Sequence, residues 1–353
     1  MKRMFQLISF LFLFLIMLYS CGDSELSEAR RIYEANATMY KRALQEPELR
    51  QAIALIENYL SRQPNDPAAH VLLWKCLLKL RSPEKDTVRN RLIALGNLIQ
   101  IDLIRALKDE AESVRREAAS LIGDMNINRA SSELVHILEN DEYYDVQRAA
   151  ALALSKMKST EAIEPLLEKL KSTNAQVRYY AACALGAFKD ARVIRALLSR
   201  IKATDETSDV RHQAAMSLAT VCNQNDISDL AEIFNDETQR TDSRILAASI
   251  LSVLGDFRGY DFILQIANSG ENNYHRGLAI TALGNFNRPE TVEVLRNVAK
   301  YGNKALRIRA AEALGEIGTP EAISVIQILL DDSNQAVQES AQNALQKIEH
   351  KAN

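Results

Sequence analysis

The chain has 353 residues, 47% of them hydrophobic and 25% charged, and a formal net charge of −3. That length is ample for a large continuous core, and four cysteines are too few for a disulfide framework of the small secreted kind. No basic block or Lys/Arg-rich stripe stands out, so nucleic acid is not expected as a partner.

Lys2 and Arg3 precede an apolar run, Ile8 to Leu18, which reads as the n-region and h-region of a signal peptide. The run is shorter than the roughly 20 residues a spanning helix needs. It ends at Leu18-Tyr19-Ser20-Cys21, which resembles the lipobox of bacterial lipoproteins. Leu18, Ser20 and Cys21 match that pattern, and Tyr19 departs from it, since a small residue is usual there. The resemblance implies cleavage after residue 20, lipid on Cys21, and a lipid-anchored protein of a bacterial cell envelope. Gly22, not Asp, follows Cys21, so the retention signal described for enteric inner-membrane lipoproteins is not at that place, and the outer membrane is favoured over the inner. Cleavage would remove Lys2 and Arg3 and move the net charge from −3 to −5. Cys76, Cys183 and Cys222 read as partly buried free thiols, with room for one bridge.

Residues 21–28 read as a short polar tether. Residues 29–82 read as helices, with apolar positions at helical spacing through Ala52, Ile53, Leu55, Ile56, Tyr59 and Leu60. Pro64 and Pro67 sit where one helix stops and the next starts. This stretch resembles a tetratricopeptide-type hairpin. Residues 83–108 read as adaptor helices, with Val88, Arg89, Leu92 and Ile93 as a degenerate first unit.

From 109 to 349 a Val-Arg-x-x-Ala-Ala-x-x-Leu-Gly motif returns eight times. Its first position, taken as zero, falls at Val114, Val146, Val177, Val210, Ser243, His275, Leu306 and Val337. A period of 31–33 residues predicts stacked helical units, an all-α solenoid. Position +8 is always Leu or Ile, an apolar spine. The +4/+5 pair is Ala-Ala from Ala118-Ala119 to Ala247-Ala248, which lets helices approach closely. Asn174, Asn272, Asn303 and Asn334 stand three residues before position zero as predicted N-caps. Gly123, Gly186, Gly284 and Gly315 at +9 suit close packing or a helix end.

The phrases around Val114-Arg115, Val177-Arg178 and Val210-Arg211 resemble HEAT repeats, most closely the short HEAT-like units described in phycobilisome bilin lyases. The resemblance implies a right-handed α-solenoid whose motif helices line its concave face. It also implies that the motif arginine pairs with an Asp of the preceding turn in a structural ladder. Arg115, Arg178, Arg211, Arg244, Arg276 and Arg307 match, with Asp109, Asp141, Asp205 and Asp332 in the acidic position. Gln147 and Gln338 depart, so the ladder is expected to break there.

Some proteins with such repeats are enzymes. The His-Glu iron-binding dipeptides of deoxyhypusine hydroxylase have no counterpart, since none of His70, His136, His212, His275 and His350 precedes Glu. H-E-x-x-H, C-x-x-C, G-x-S-x-G and Walker patterns are also missing. No reaction, metal or cofactor is expected.

Positions +2 and +6 are predicted to face solvent. In the first and eighth units they are polar: Arg116 and Ser120, then Glu339 and Asn343. In the middle they become Tyr179 and Cys183, His212 and Met216, Ile245 and Ser249. Position +3 adds Tyr180, Leu246 and Leu278, and Tyr143 and Tyr144 lie on the approach. Apolar and aromatic residues on a solvated face signal a protein-binding groove; tight curvature burying them against neighbouring repeats is the other reading. The expected function is a membrane-anchored, non-catalytic scaffold or assembly factor for other envelope proteins, with no small-molecule ligand. The alternatives are an accessory subunit that holds a client for a modifying enzyme, or a binder of extended peptide or glycan.

Overall fold

A computed structural model describes residues 24–35, 46–269 and 271–352. The expected signal peptide and the expected lipidation site, Cys21, lie outside these residues. The described residues are helices joined by short turns, with no strand among them, and they form an all-α solenoid. The chain divides into two compact units, Met1–Glu168 and Lys169–Asn353.

The first unit opens with α1, residues 24–35. Residues 24–28 are therefore helical, not an extended tether. Glu25 fixes this turn by accepting from Asn58 Nδ2 at 2.8 Å and pairing with Arg62. Helix α2 (Glu46–Arg62) and α3 (Pro67–Lys79) form the expected hairpin. Asp66 caps α3 by accepting from Ala69 N–H, and Pro67 takes the first turn, where a missing N–H costs nothing. Helix α4 (Glu84–Leu95), a 3-10 turn (Gly96–Ile99) and α5 (Gln100–Ala106) follow. Gly96 sits at φ 57° and ψ −125°, a backbone state that L side chains avoid, and so makes the elbow. Then come α6 (Glu112–Asp124), α7 (Ser131–Asn140) and α8 (Tyr144–Lys156), with α9 (Ile163–Lys169) at the unit's edge. Helices α6 and α8 carry the first two motifs and pack on each other.

The second unit alternates motif and outer helices. The motif helices are α10 (Ala175–Leu185), α12 (Ser208–Val221), α14 (Thr241–Val253), α16 (Asn273–Leu283), α18 (Lys304–Ile317) and α20 (Gln335–Ala352). The outer ones are α11 (Ala191–Lys202), α13 (Ile227–Asn235), α15 (Tyr260–Ser269), α17 (Pro289–Tyr301) and α19 (Pro320–Leu329). Each motif helix packs on the next, α10 through α20.

The apolar spine is the core. Ile122, Leu154, Leu185, Leu218, Leu251, Leu283 and Leu314 are fully buried, each contributing about 1.5–3 kcal/mol relative to exposure. All four predicted asparagine caps accept a hydrogen bond from the first-turn backbone. The +9 glycines settle the helix spacing. A Cβ at Gly123 would stand 2.7 Å from Ala153 Cα, and one at Gly315 2.8 Å from Ala344 Cβ. Each meets the +7 residue of the next motif helix, so these glycines serve close approach.

Candidate functional site

Two features of the motif helices bear on function: the arginine row that fixes the turns and the solvent-facing strip. Arg115 shows the plan of the row. Its Nη1 donates to the Asp109 and Glu110 carbonyls of the preceding turn, at 2.8 and 2.9 Å. Its Nε and Nη2 donate to both carboxylate oxygens of Asp141, at 2.7 and 3.0 Å. Asp141 belongs to the turn of the next repeat. The preceding turn thus supplies carbonyls and the following one the carboxylate, a correction to the ladder expected above. A planar fork suits both tasks at once, which a lysine cannot do.

Arg178 repeats the plan with the Ser172 and Thr173 carbonyls behind and Glu206 ahead, at 2.9 and 2.7 Å. Its partner is Glu206, not Asp205: Asp205 is exposed, while Glu206 is buried and held by the Thr207 N–H at 2.8 Å. Burial works to raise the Glu206 carboxyl, but the Arg178 and Thr207 hydrogen bonds outweigh it and hold the group below its ordinary value. Arg307 donates to the Gly302 carbonyl and, at 2.7 and 2.9 Å, to Asp332. Arg211 is fully buried with Asp242, at 3.2 Å, and also donates to the Ile201 and Ala203 carbonyls.

At the remaining positions no carboxylate pairs with the motif side chain among the described residues. Arg244 donates to the Phe234 carbonyl at 2.9 Å and lies over the Phe262 ring at 4.7 Å. Arg276 donates to the Ala267 carbonyl at 3.3 Å. Gln147 and Gln338 donate to the Asp141 and Asp332 carbonyls of their own turns, each at 2.6 Å, so they keep the backward half of the plan. Asp109, the acid of the first turn, is taken by Lys75 of α3 at 2.6 Å and by the Tyr33 hydroxyl at 2.8 Å. Helix α3 therefore carries a rung with lysine in place of arginine. The sequence shows no motif at α3, and the expected ladder assigned Asp109 to Arg115, so this rung was missed. Lys79 stands over the Tyr33 ring at 3.8 Å, and burial holds its ammonium below the usual lysine range. Burial pushes the neighbouring Cys76 thiol up to about 12.

The strip divides. In the first unit Tyr143 and Tyr144 are exposed at the start of α8, with Arg115 over the Tyr143 ring at 5.7 Å. In the second unit Tyr179 of α10 and Met216 of α12 are exposed, at 38% and 56%. Four other candidates are core residues: Tyr180 (1% exposed), Ile245 (1%), Leu246 (6%) and Leu278 (5%). These four are packed inside the fold and do not line a solvated face. Helix α14 packs against both α12 and α16. The start of α14 is covered: Asp242 and Ser243 are fully buried, and the Ser243 hydroxyl donates to the Ile201 carbonyl at 2.7 Å. That bond accounts for serine where the motif has valine.

His212 is half-buried, and its Nδ1 has no hydrogen-bond partner among the described residues. Burial, with the Arg309 charge behind it, holds the imidazole below its ordinary range. Tyr274, itself exposed on the strip, was missed in the sequence, although it sits beside an Asn cap much as Tyr143 sits beside the start of α8. Cys76, Cys183 and Cys222 are free thiols. Among the described residues no group of three His, Cys, Asp or Glu is placed to hold a metal ion. No helix among them is long and apolar enough to cross a membrane.

The model of the HEAT-repeat family matches residues 101–172, 163–251 and 260–346. The chain is a HEAT-repeat protein. Its similar solved structures include the CpcE–CpcF complex of phycocyanin lyase from Nostoc sp. PCC7120, at 20% identity and a TM-score of 0.43, over 65% of this chain and 92% of that one. Human deoxyhypusine hydroxylase is similar at 21% identity and a TM-score of 0.33, over 76% of this chain and all of that one. No curated protein matches the chain in sequence.

Proposed function

We propose that this HEAT-repeat protein is a membrane-anchored interaction scaffold or assembly factor in a bacterial cell envelope, with no reaction of its own. Lipid on Cys21 holds it at the membrane, the outer one in preference to the inner. Other envelope proteins are its partners. The observation that carries the reading is the strip of the second unit. Tyr179 and Met216 are exposed on adjacent motif helices whose remaining apolar side chains are packed away. Large side chains left in water on neighbouring helices are the expected anchors of a protein interface. The lipobox-like Leu18-Tyr19-Ser20-Cys21 supports the anchor.

The test pairs two variants of the full chain. Labelled fatty acid should be incorporated by the wild type and lost in Cys21→Ala; incorporation that survives the substitution removes the anchor. Affinity capture from envelope extract should recover a partner with wild type and lose it with Tyr179→Glu/Met216→Glu, once circular dichroism shows that variant folded. Equal recovery by both moves the interface off the strip.

A further inference from the structure

The first unit has two distinct ends. At one end the α1 residue Tyr33, the α3 residues Lys75 and Lys79, and the Asp109 turn before α6 meet. The start of α1 lies at the other. Glu25 is bonded to Asn58 and Arg62 in the last turns of α2. Arg62 is followed at once by the 63–66 turn, where Tyr59 donates to Asp66 at 2.7 Å and His70 meets the Pro64 carbonyl at 2.8 Å. The start of α3 is therefore at this end too. Helix α4 returns along α3 after a tight turn, in which Ser82 N–H donates to the Leu77 carbonyl, so α4 finishes beside the start of α3. The Gly96 elbow and the 3-10 turn, which pack on α3 and α4, complete this end.

That elbow carries three apolar side chains in water: Ile93 (41% exposed), Leu98 (67%) and Ile101 (54%). Their neighbours Leu92, Ile99 and Leu103 are fully buried, so the core is already filled without them. The chain also limits what this end can face. Ser24 is three residue steps from Cys21, a span of at most about 11 Å when fully extended. An anchor at Cys21 keeps the start of α1, and with it the elbow, against the lipid headgroups.

We infer that this end of the first unit is a membrane-apposed face, with Leu98, Ile101 and Ile93 entering the boundary between headgroups and acyl chains. The inference rests on the lipid anchor proposed above and adds a second, side-chain contact to it. A lipid chain alone leaves a protein free to swivel; an apolar elbow beside it fixes which side faces outward. The far end, with Asp109 and the start of α8 carrying Tyr143 and Tyr144, would then point away from the bilayer.

The test places a reporter at each end of the full chain, Leu98→Trp in one variant and Tyr144→Trp in another. Both positions are exposed, and the native Trp74 is buried and gives the same background in each. Fatty-acid-labelled protein is reconstituted in phosphatidylcholine vesicles with or without brominated acyl chains, which quench indole on contact. The expected result is loss of L98W emission in brominated vesicles and unchanged Y144W emission. Labelled, vesicle-bound protein with L98W unquenched overturns the membrane face and leaves the anchor intact. Equal quenching of both variants overturns the orientation. Leu98→Trp protein that takes up no fatty acid yet is quenched removes the anchor and supports the apolar face by itself.

Discussion

Arg115, Arg178, Arg211 and Arg307 each close a carboxylate of the next repeat's turn, whereas Arg244 and Arg276 hold the same motif position with only carbonyls or rings to meet. The motif thus encodes the donor and not the acceptor. What every copy shares is a backward bond to a carbonyl of its own turn or of the end of the preceding helix, which even Gln147 and Gln338 keep. The forward ion pair depends on whether the next turn has an acid within reach, at Asp141, Glu206, Asp242 or Asp332.

If that contrast is right, substitutions along the row separate by burial and charge. Arg211→Ala should cost most, about 3–5 kcal/mol, because Asp242 stays buried beside an emptied site. Denaturant unfolding measures it, and a loss near that of an exposed arginine would show that Arg240, 3.1 Å from Asp242, suffices as partner. Arg115→Ala should cost about 2 kcal/mol, the scale of charge-assisted bonds at a part-buried site. Arg276→Ala loses one carbonyl contact and should cost about 1 kcal/mol or less. Equal effects for Arg115 and Arg276 would dissolve the distinction.

The smallest effect is in pH dependence. Hydrogen bonds from Arg307 hold Asp332 below its ordinary 3.8. A depressed carboxyl contributes stability that is fully present above 3.8 and lost as pH falls through the lower folded value. Asp332→Asn should therefore flatten the acid limb of the stability curve below that point, with little change in its shape near neutrality. An unchanged acid limb would mean that the pair contributes no linkage.

The repeat period, the helix caps and the spine were legible because they recur: Asn174, Asn272, Asn303 and Asn334 cap as read, and the +8 residues are core in every unit but the eighth, where Leu345 is half-buried. The arginine partners were half legible. Glu206 displaced Asp205 because side-chain reach and the Thr207 N–H decide the pairing, and neither shows in spacing. The strip was the least legible. Tyr179 and Tyr180 are neighbours in sequence, yet one faces water and the other the core. Ile245 occupies a position expected in solvent, but it is buried on α14, whose Ser243 reaches past the neighbouring repeat to the Ile201 carbonyl of α11. Contacts that skip a repeat leave no trace in a pattern read one repeat at a time.

The central claim is that the strip holds a protein. Incorporating a photo-crosslinking phenylalanine at Tyr179 of the full-length chain in its native envelope tests it most directly. The account predicts a discrete protein adduct at Tyr179 that disappears in a folded Met216→Glu background and does not form at Tyr301, an exposed tyrosine (74%) on an outer helix. No adduct at Tyr179, or the same adduct at Tyr301, would contradict it.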